Sequence, residues 1–129
     1  MSTSKTVERL LTRSDHIRLS QLASDGLADL LADAQVVEPP SIPDDVVTMY
    51  SQILVADGPQ GQLQKFTLCY PEDAEPPRGF ISVCSPFGSS LLGLRVGQAA
   101  HWLTPGGDAR TVWVRSILFQ PEATGDYAL

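Results

Sequence analysis

The spacing of apolar positions changes period once along the chain. Leu27, Leu30, Leu31 and Ala34 recur at i, i+3, i+4 and i+7, which predicts one apolar stripe on a short helix. Ahead of it, Ser14 and Asp15 offer a helix cap, and Ile17, Leu19, Leu22 and Ala23 follow, so a first helix is expected there. Ser24-Asp25-Gly26 reads as the tight break between the two, and short helices joined in this way make an antiparallel hairpin. Val7 to Leu11 fits either an extension of the first helix or an extended segment against the rest of the chain. The run Glu38-Pro39-Pro40-Ser41-Ile42-Pro43 excludes helix, because prolines remove donors and clash with the preceding turn. It divides a hairpin and linker, residues 1–41, from a body, residues 42–129.

Beyond Pro43 the period becomes two. Met49, Ser51, Ile53 and Val55 alternate with Tyr50, Gln52 and Leu54, and Phe66, Leu68 and Tyr70 alternate on a returning strand after the turn Asp57 to Gly61. Pro71 to Gly79 is an acidic, proline-rich loop, and Phe80 to Cys84 is a third strand with Ile81 and Val83 facing inward. The segment from Cys84 to Gln98, CSPFGSSLLGLRVGQ, predicts a short helix started by Ser85 as N-cap and Pro86 at the first helical position. Gly93 ends it and Gly97 makes the next turn. Ala99 to Leu103 and Thr111 to Phe119 are strands joined through Thr104-Pro105-Gly106-Gly107-Asp108. The expectation is an α+β fold: a short helical hairpin, then a strongly bent antiparallel sheet covered by one short helix.

Composition narrows the function. The chain has 129 residues, enough to bury a core without a disulfide or metal. Its 15 acids against 9 bases give a formal charge of −6, which disfavours broad contact with a phosphate backbone and favours a basic protein surface as partner. Cys69 and Cys84 are the only cysteines, and MSTSKTVERLL carries no long apolar run, so a reduced, cytoplasmic setting without a membrane span is expected.

Candidate chemistry is sparse. His16 and His101 have no cysteine or second histidine at ligand spacing, Ser89-Ser90 has no nucleophile elbow, and Gly106-Gly107 lacks the helix and lysine of a phosphate loop. Asp29 and Asp33 share a helical face, as solvated acids ordinarily do. Trp102, Trp113, Phe66, Tyr70 and Phe80 read as the core and its rim rather than as a pocket. The expectation is a protein that is not an enzyme, with no catalytic residue, cofactor or metal.

Four stretches together carry a resemblance: DDVVTMYS (Asp44 to Ser51), ISVCSPFGSSLLGLRVGQ (Ile81 to Gln98), TPGG (Thr104 to Gly107) and QPEATGDY (Gln120 to Tyr127). In this order they resemble the Rnk family, bacterial regulators of nucleoside diphosphate kinase related to the Gre transcript-cleavage factors. The resemblance implies a coiled-coil hairpin on an FKBP-like C-terminal domain, and bacterial RNA polymerase as partner, gripped at the rim of its secondary channel. It places the docking loop on Cys84, Ser85 and Pro86 and makes Phe87, at the helix start, a further polymerase-binding residue; Cys84 stands where some Gre factors carry an acid. The Gre tip bears a close pair of acids, whereas the tip here, Ser24-Asp25-Gly26, has one. The implied function is a non-catalytic, monomeric transcription regulator that occupies the Gre site. Two alternatives accompany it: direct action on nucleoside diphosphate kinase, and prolyl isomerisation by an FKBP-like domain.

Overall fold

A computed structural model describes residues 8–22 and 25–126, with the backbone alone for Asp25 and Gly26. The chain is α+β. β1 (Leu10–Thr12) leads into α1 (Arg13–Ser20), α2 (Asp25–Asp33) and β2 (Gln35–Val37), followed by β3 (Gln52–Ala56), β4 (Gln64–Cys69), β5 (Phe80–Ser82), α3 (Pro86–Leu91), β6 (Ala99–Leu103) and β7 (Ala109–Phe119). No helix among the described residues is long and apolar enough to cross a membrane.

The N-terminal part keeps the expected stripe and corrects the rest. Leu27 and Leu31 are buried, with Leu30 and Ala34 packed against the core. The two helices lie side by side, the His16 ring nitrogen 3.0 Å from the Leu31 carbonyl. The cap of α1 is Thr12, whose hydroxyl accepts from the Asp15 amide at 3.1 Å, and not Ser14 or Asp15. Ile17 points to solvent at 53% exposure because Asp15 and Leu19 take the buried face. Ala23 and Ser24 lie outside the described residues, while Asp25 and Gly26, expected in the break, open α2. Leu10 and Leu11 are extended: β1 pairs in parallel with β2, and the Leu10 amide donates to the Gly93 carbonyl at 3.1 Å. Within the proline run, Pro39–Ser41 form one 3-10 turn, a shape that tolerates proline at its start, where no amide donor is needed.

The sheet has the order β5-β4-β3-β7-β6 and is mixed, which corrects the expected antiparallel arrangement. β5 runs parallel to β4 because the Pro71–Gly79 loop doubles back on itself first. Two 3-10 turns and a bridge between Glu75 and Phe80 return the chain beside Thr67 in its original direction. Opposite β3, the register of β7 shifts twice, leaving Arg115 and Leu118 as extra residues. Such bulges bend a strand and increase its twist, so they curl the sheet around its core. One hydrophobic cluster fills the hollow. It unites Leu11, Leu19, Leu27 and Leu31 of the hairpin with Met49, Ile53, Val83, Leu91, Leu92, Leu94 and Val114 of the body.

The irregular segment Asp44 to Ser51 joins these parts. Val46, Val47, Thr48 and Ser51 are fully buried, and their polar groups are met by residues from distant stretches. Gln120 Nε2 donates to the Pro43 and Val46 carbonyls, both at 2.8 Å. Thr48 donates its hydroxyl to Glu122 at 2.7 Å, and the Val47 amide donates to the Leu94 carbonyl at 2.8 Å. Asp15 is buried and accepts the Met49 amide at 3.2 Å. Burial pushes its carboxyl up to about 6, opposed by the Met49 amide, raised further by the charge of Glu122, and eased by Arg18 and Thr12.

A carboxyl raised on folding from its ordinary 3.8 favours the folded state while protonated. That stabilisation is complete below about pH 3.8 and is lost as pH rises through about 6. The shift corresponds to about 3 kcal/mol. Urea unfolding of Asp15→Asn and the parent chain between pH 5 and 8 should therefore show the variant gaining relative stability as pH rises. Parallel curves would refute this account of Asp15.

Candidate partner-docking site

The loop entering α3 owes its shape to its own residues. The Ser85 hydroxyl accepts the Gly88 amide at 3.0 Å and donates to the Ser82 carbonyl at 2.7 Å, closing the first helical turn and tying it to the end of β5. Pro86 occupies the first helical position, where its missing N–H is no loss. The Cys84 amide donates to the Ser82 hydroxyl at 3.0 Å. A Cβ on Gly88 would stand 1.9 Å from the Ser82 carbonyl oxygen, so the helix approaches β5 only because this residue has no side chain.

Cys84 and Pro86 are exposed and Ser85 is half-buried. Phe87 turns inward instead. Its ring packs on Phe66 at 5.0 Å in a T-shape and on Trp102 at 4.5 Å. The aromatic residues singled out in the sequence thus divide: Phe66 and Trp102 join Phe87, Tyr70 meets Tyr50 at 5.8 Å, and Trp113 stays 38% exposed. The hairpin tip is far less informative, since Ser24 and the side chain of Asp25 lie outside the described residues.

The far end of α3 is held by a residue that pattern reading passes over. Arg9 Nη1 donates to the carbonyls of Ser89, Ser90 and Leu92, at 3.3, 3.1 and 2.8 Å. A cation there meets the unpaired carbonyls and the negative end of the helix. Burial pulls the Arg9 pKa down from its ordinary value. Nothing in its neighbours Glu8 and Leu10 marks it, because its partners lie some eighty residues away in sequence.

Among the described residues, no group of three His, Cys, Asp or Glu could hold a metal. His101 shares a hydrogen bond with Thr111 at 2.9 Å. Both cysteines are free, and burial, reinforced by Asp73 and Glu72, raises the Cys69 thiol.

Comparison with known proteins places this arrangement. The family profile described as "Transcription elongation factor, GreA/GreB, C-term" matches residues 42–119. The Escherichia coli (strain K12) protein named "Regulator of nucleoside diphosphate kinase" is 42% identical over 106 residues, covering 82% of this chain and 78% of that one. "Transcription elongation factor GreA" of Bacillus licheniformis is 30% identical over 82 residues, 64% of this chain and 52% of its own. Among solved structures, a "Prokaryotic transcription elongation factor GreA/GreB from Nitrosomonas europaea" superposes with a TM-score of 0.73 at 33% identity, over 88% of this chain and all of that one.

The loop geometry makes a graded stability prediction. Ser85→Ala should cost about 1 kcal/mol by loss of the cap. Gly88→Ala should cost more, about 2 to 3 kcal/mol, because α3 must move off β5. Equal effects in urea unfolding would contradict the close approach.

Proposed function

The chain belongs to the GreA/GreB elongation-factor family, in the branch of the regulators of nucleoside diphosphate kinase, and on that premise we propose that it binds RNA polymerase and competes with transcript-cleavage factors. In this reading residues 42–129 are an FKBP-like docking domain and residues 1–41 a short coiled-coil finger. The protein acts in the cytoplasm as a monomer, without a cofactor. The observation that carries the proposal is the exposed pair Cys84 and Pro86, held on a loop whose shape is fixed by the Ser85 cap. A preformed loop loses little conformational freedom on binding, so its few contacts count fully toward affinity. Phe87 contributes from behind, by packing the helix in place.

Finger length supports competition without cleavage. α1 has 8 residues and α2 has 9. At ~1.5 Å per residue each spans about 12 to 14 Å, too short to carry Asp25 from a channel rim to a buried active site. One carboxylate is also a poor ligand set for magnesium, which takes several oxygens in octahedral array. The aromatic rings beside α3 cover one another, which disfavours prolyl isomerisation. The name of the Escherichia coli relative supports one second reading, direct action on nucleoside diphosphate kinase.

In stalled elongation complexes treated with a Gre factor, cleavage should fall as this protein is titrated in, and the protein alone should yield no short 3′ products. Pro86→Asn should weaken the competition about tenfold while the melting temperature stays near the parent value. Unchanged cleavage at saturating protein would remove the competition model. Retention of purified nucleoside diphosphate kinase, with no retention of core polymerase, would favour the second reading.

A further inference from the structure

The outer face of the sheet has a character opposite to that of the whole molecule. The chain carries a formal charge of −6, yet β3 to β7 contain no carboxylate. They hold Lys65, Arg110 and Arg115. None of these cations forms an ion pair among the described residues, whereas Arg13, Arg78 and Arg95 pair with Glu38, Glu75 and Asp45. Arg110 stands opposite Trp102, on the side covered by α3. Lys65 and Arg115 flank the other side. Inward positions there are set by Ile53, Val55, Val112 and Val114, all buried. Leu54, Lys65, Trp113 and His101 therefore project outward, and Arg115 sits exposed at its bulge beside them.

Trp113 is the centre of this face. Its cross-strand neighbours are Ala56 and Ala99, and the indole remains 38% exposed. Leu103, 61% exposed, continues the apolar strip along β6, with His101 between. β6 is the edge strand, which leaves the strip open along one side. An exposed tryptophan between two alanines, with Lys65 and Arg115 on the same face and free of ion pairs among the described residues, Arg115 reaching the Gly58 carbonyl at 3.4 Å, is the composition of a binding centre with a polar rim.

We propose that this face docks an acidic, leucine-bearing segment of a partner protein. The apolar residues of the segment cover Trp113 and Leu103, and its carboxylates meet Lys65 and Arg115. A single-stranded nucleic acid fits less well. Two phosphate contacts give a salt slope of only about −1.4 and correspondingly little affinity. The net acidity that points to a basic partner is an average over the surface, and this face is its exception.

The experiment uses the full chain and a short fluorescein-labelled peptide rich in glutamate and leucine. Controls are the same peptide with lysine for glutamate and an oligouridylate of equal length. The acidic peptide should bind and shift the emission of Trp113 to the blue, read in a Trp102→Phe background. Trp113→Ala and Arg115→Glu should each weaken binding about tenfold or more with unchanged melting temperature. Pro86→Asn, on the separate loop before α3, should leave it unchanged. Equal binding of the lysine peptide, tighter binding of the oligouridylate, or indifference to both face variants would overturn the proposal. Self-association lost in Trp113→Ala would overturn it as well, giving the face to a second copy, whose exposed Glu72, Asp73 and Glu75 carry the matching charge.

Discussion

The burial of Val46 to Met49 and of Ser51 is the constraint on which the other elements depend. A segment with neither helix nor a full strand ladder cannot satisfy its own backbone, and an unpaired polar group in a dry interior costs a few kcal/mol. Here the missing partners come from everywhere else in the chain. α1 supplies Asp15, the stretch after α3 supplies the Gly93 amide and the Leu94 carbonyl, and β4 exchanges hydrogen bonds with Tyr50 and Ser51 through Leu68. The stretch after β7 supplies Gln120 and Glu122. Two of the sequence stretches noticed for their resemblance, DDVVTMYS and QPEATGDY, are therefore halves of one clasp.

The same clasp explains why hairpin and body share a core. Leu19 and Leu27 pack into the cluster that holds Met49 and Leu91, so deleting the first forty residues would expose apolar surface on the body. Arg9 adds a direct tie from the start of the described chain to the end of α3. The loop at Cys84 and Pro86 is thus braced from both ends of α3, by Ser85 at one and Arg9 at the other.

What the sequence made legible was what is local. The stripe Leu27 to Ala34, the Ser85-Pro86 helix start, the glycines at 93 and 97 with positive φ, and the turn at Thr104 to Asp108 all follow from spacing or from backbone limits of single residues. What stayed hidden was long-range. β5 pairs parallel because of how a proline-rich loop doubles back, which no period announces. Asp15 looked like a cap because an acid at a helix start usually is one; its carboxylate instead serves a backbone amide far along the chain. Of the loop entering α3, the capping residues were readable, and the inward turn of Phe87 depended on Phe66 and Trp102 across the sheet.

The clasp also bears on how the chain is made. Thr48 and Glu122 are 74 residues apart, and Pro43 and Gln120 are 77. During synthesis the segment around Thr48 leaves the ribosome long before Gln120 and Glu122 exist. Its buried geometry cannot be completed in passing, and the hairpin that docks on it has no finished seat to find. Contacts this distant in sequence also carry a high loop-closure cost, which slows folding relative to local pairing. The nascent protein is therefore a helical hairpin and a set of strands awaiting a closure that arrives only with Gln120 and Glu122, and until then Met49 and its neighbours lack part of their cover.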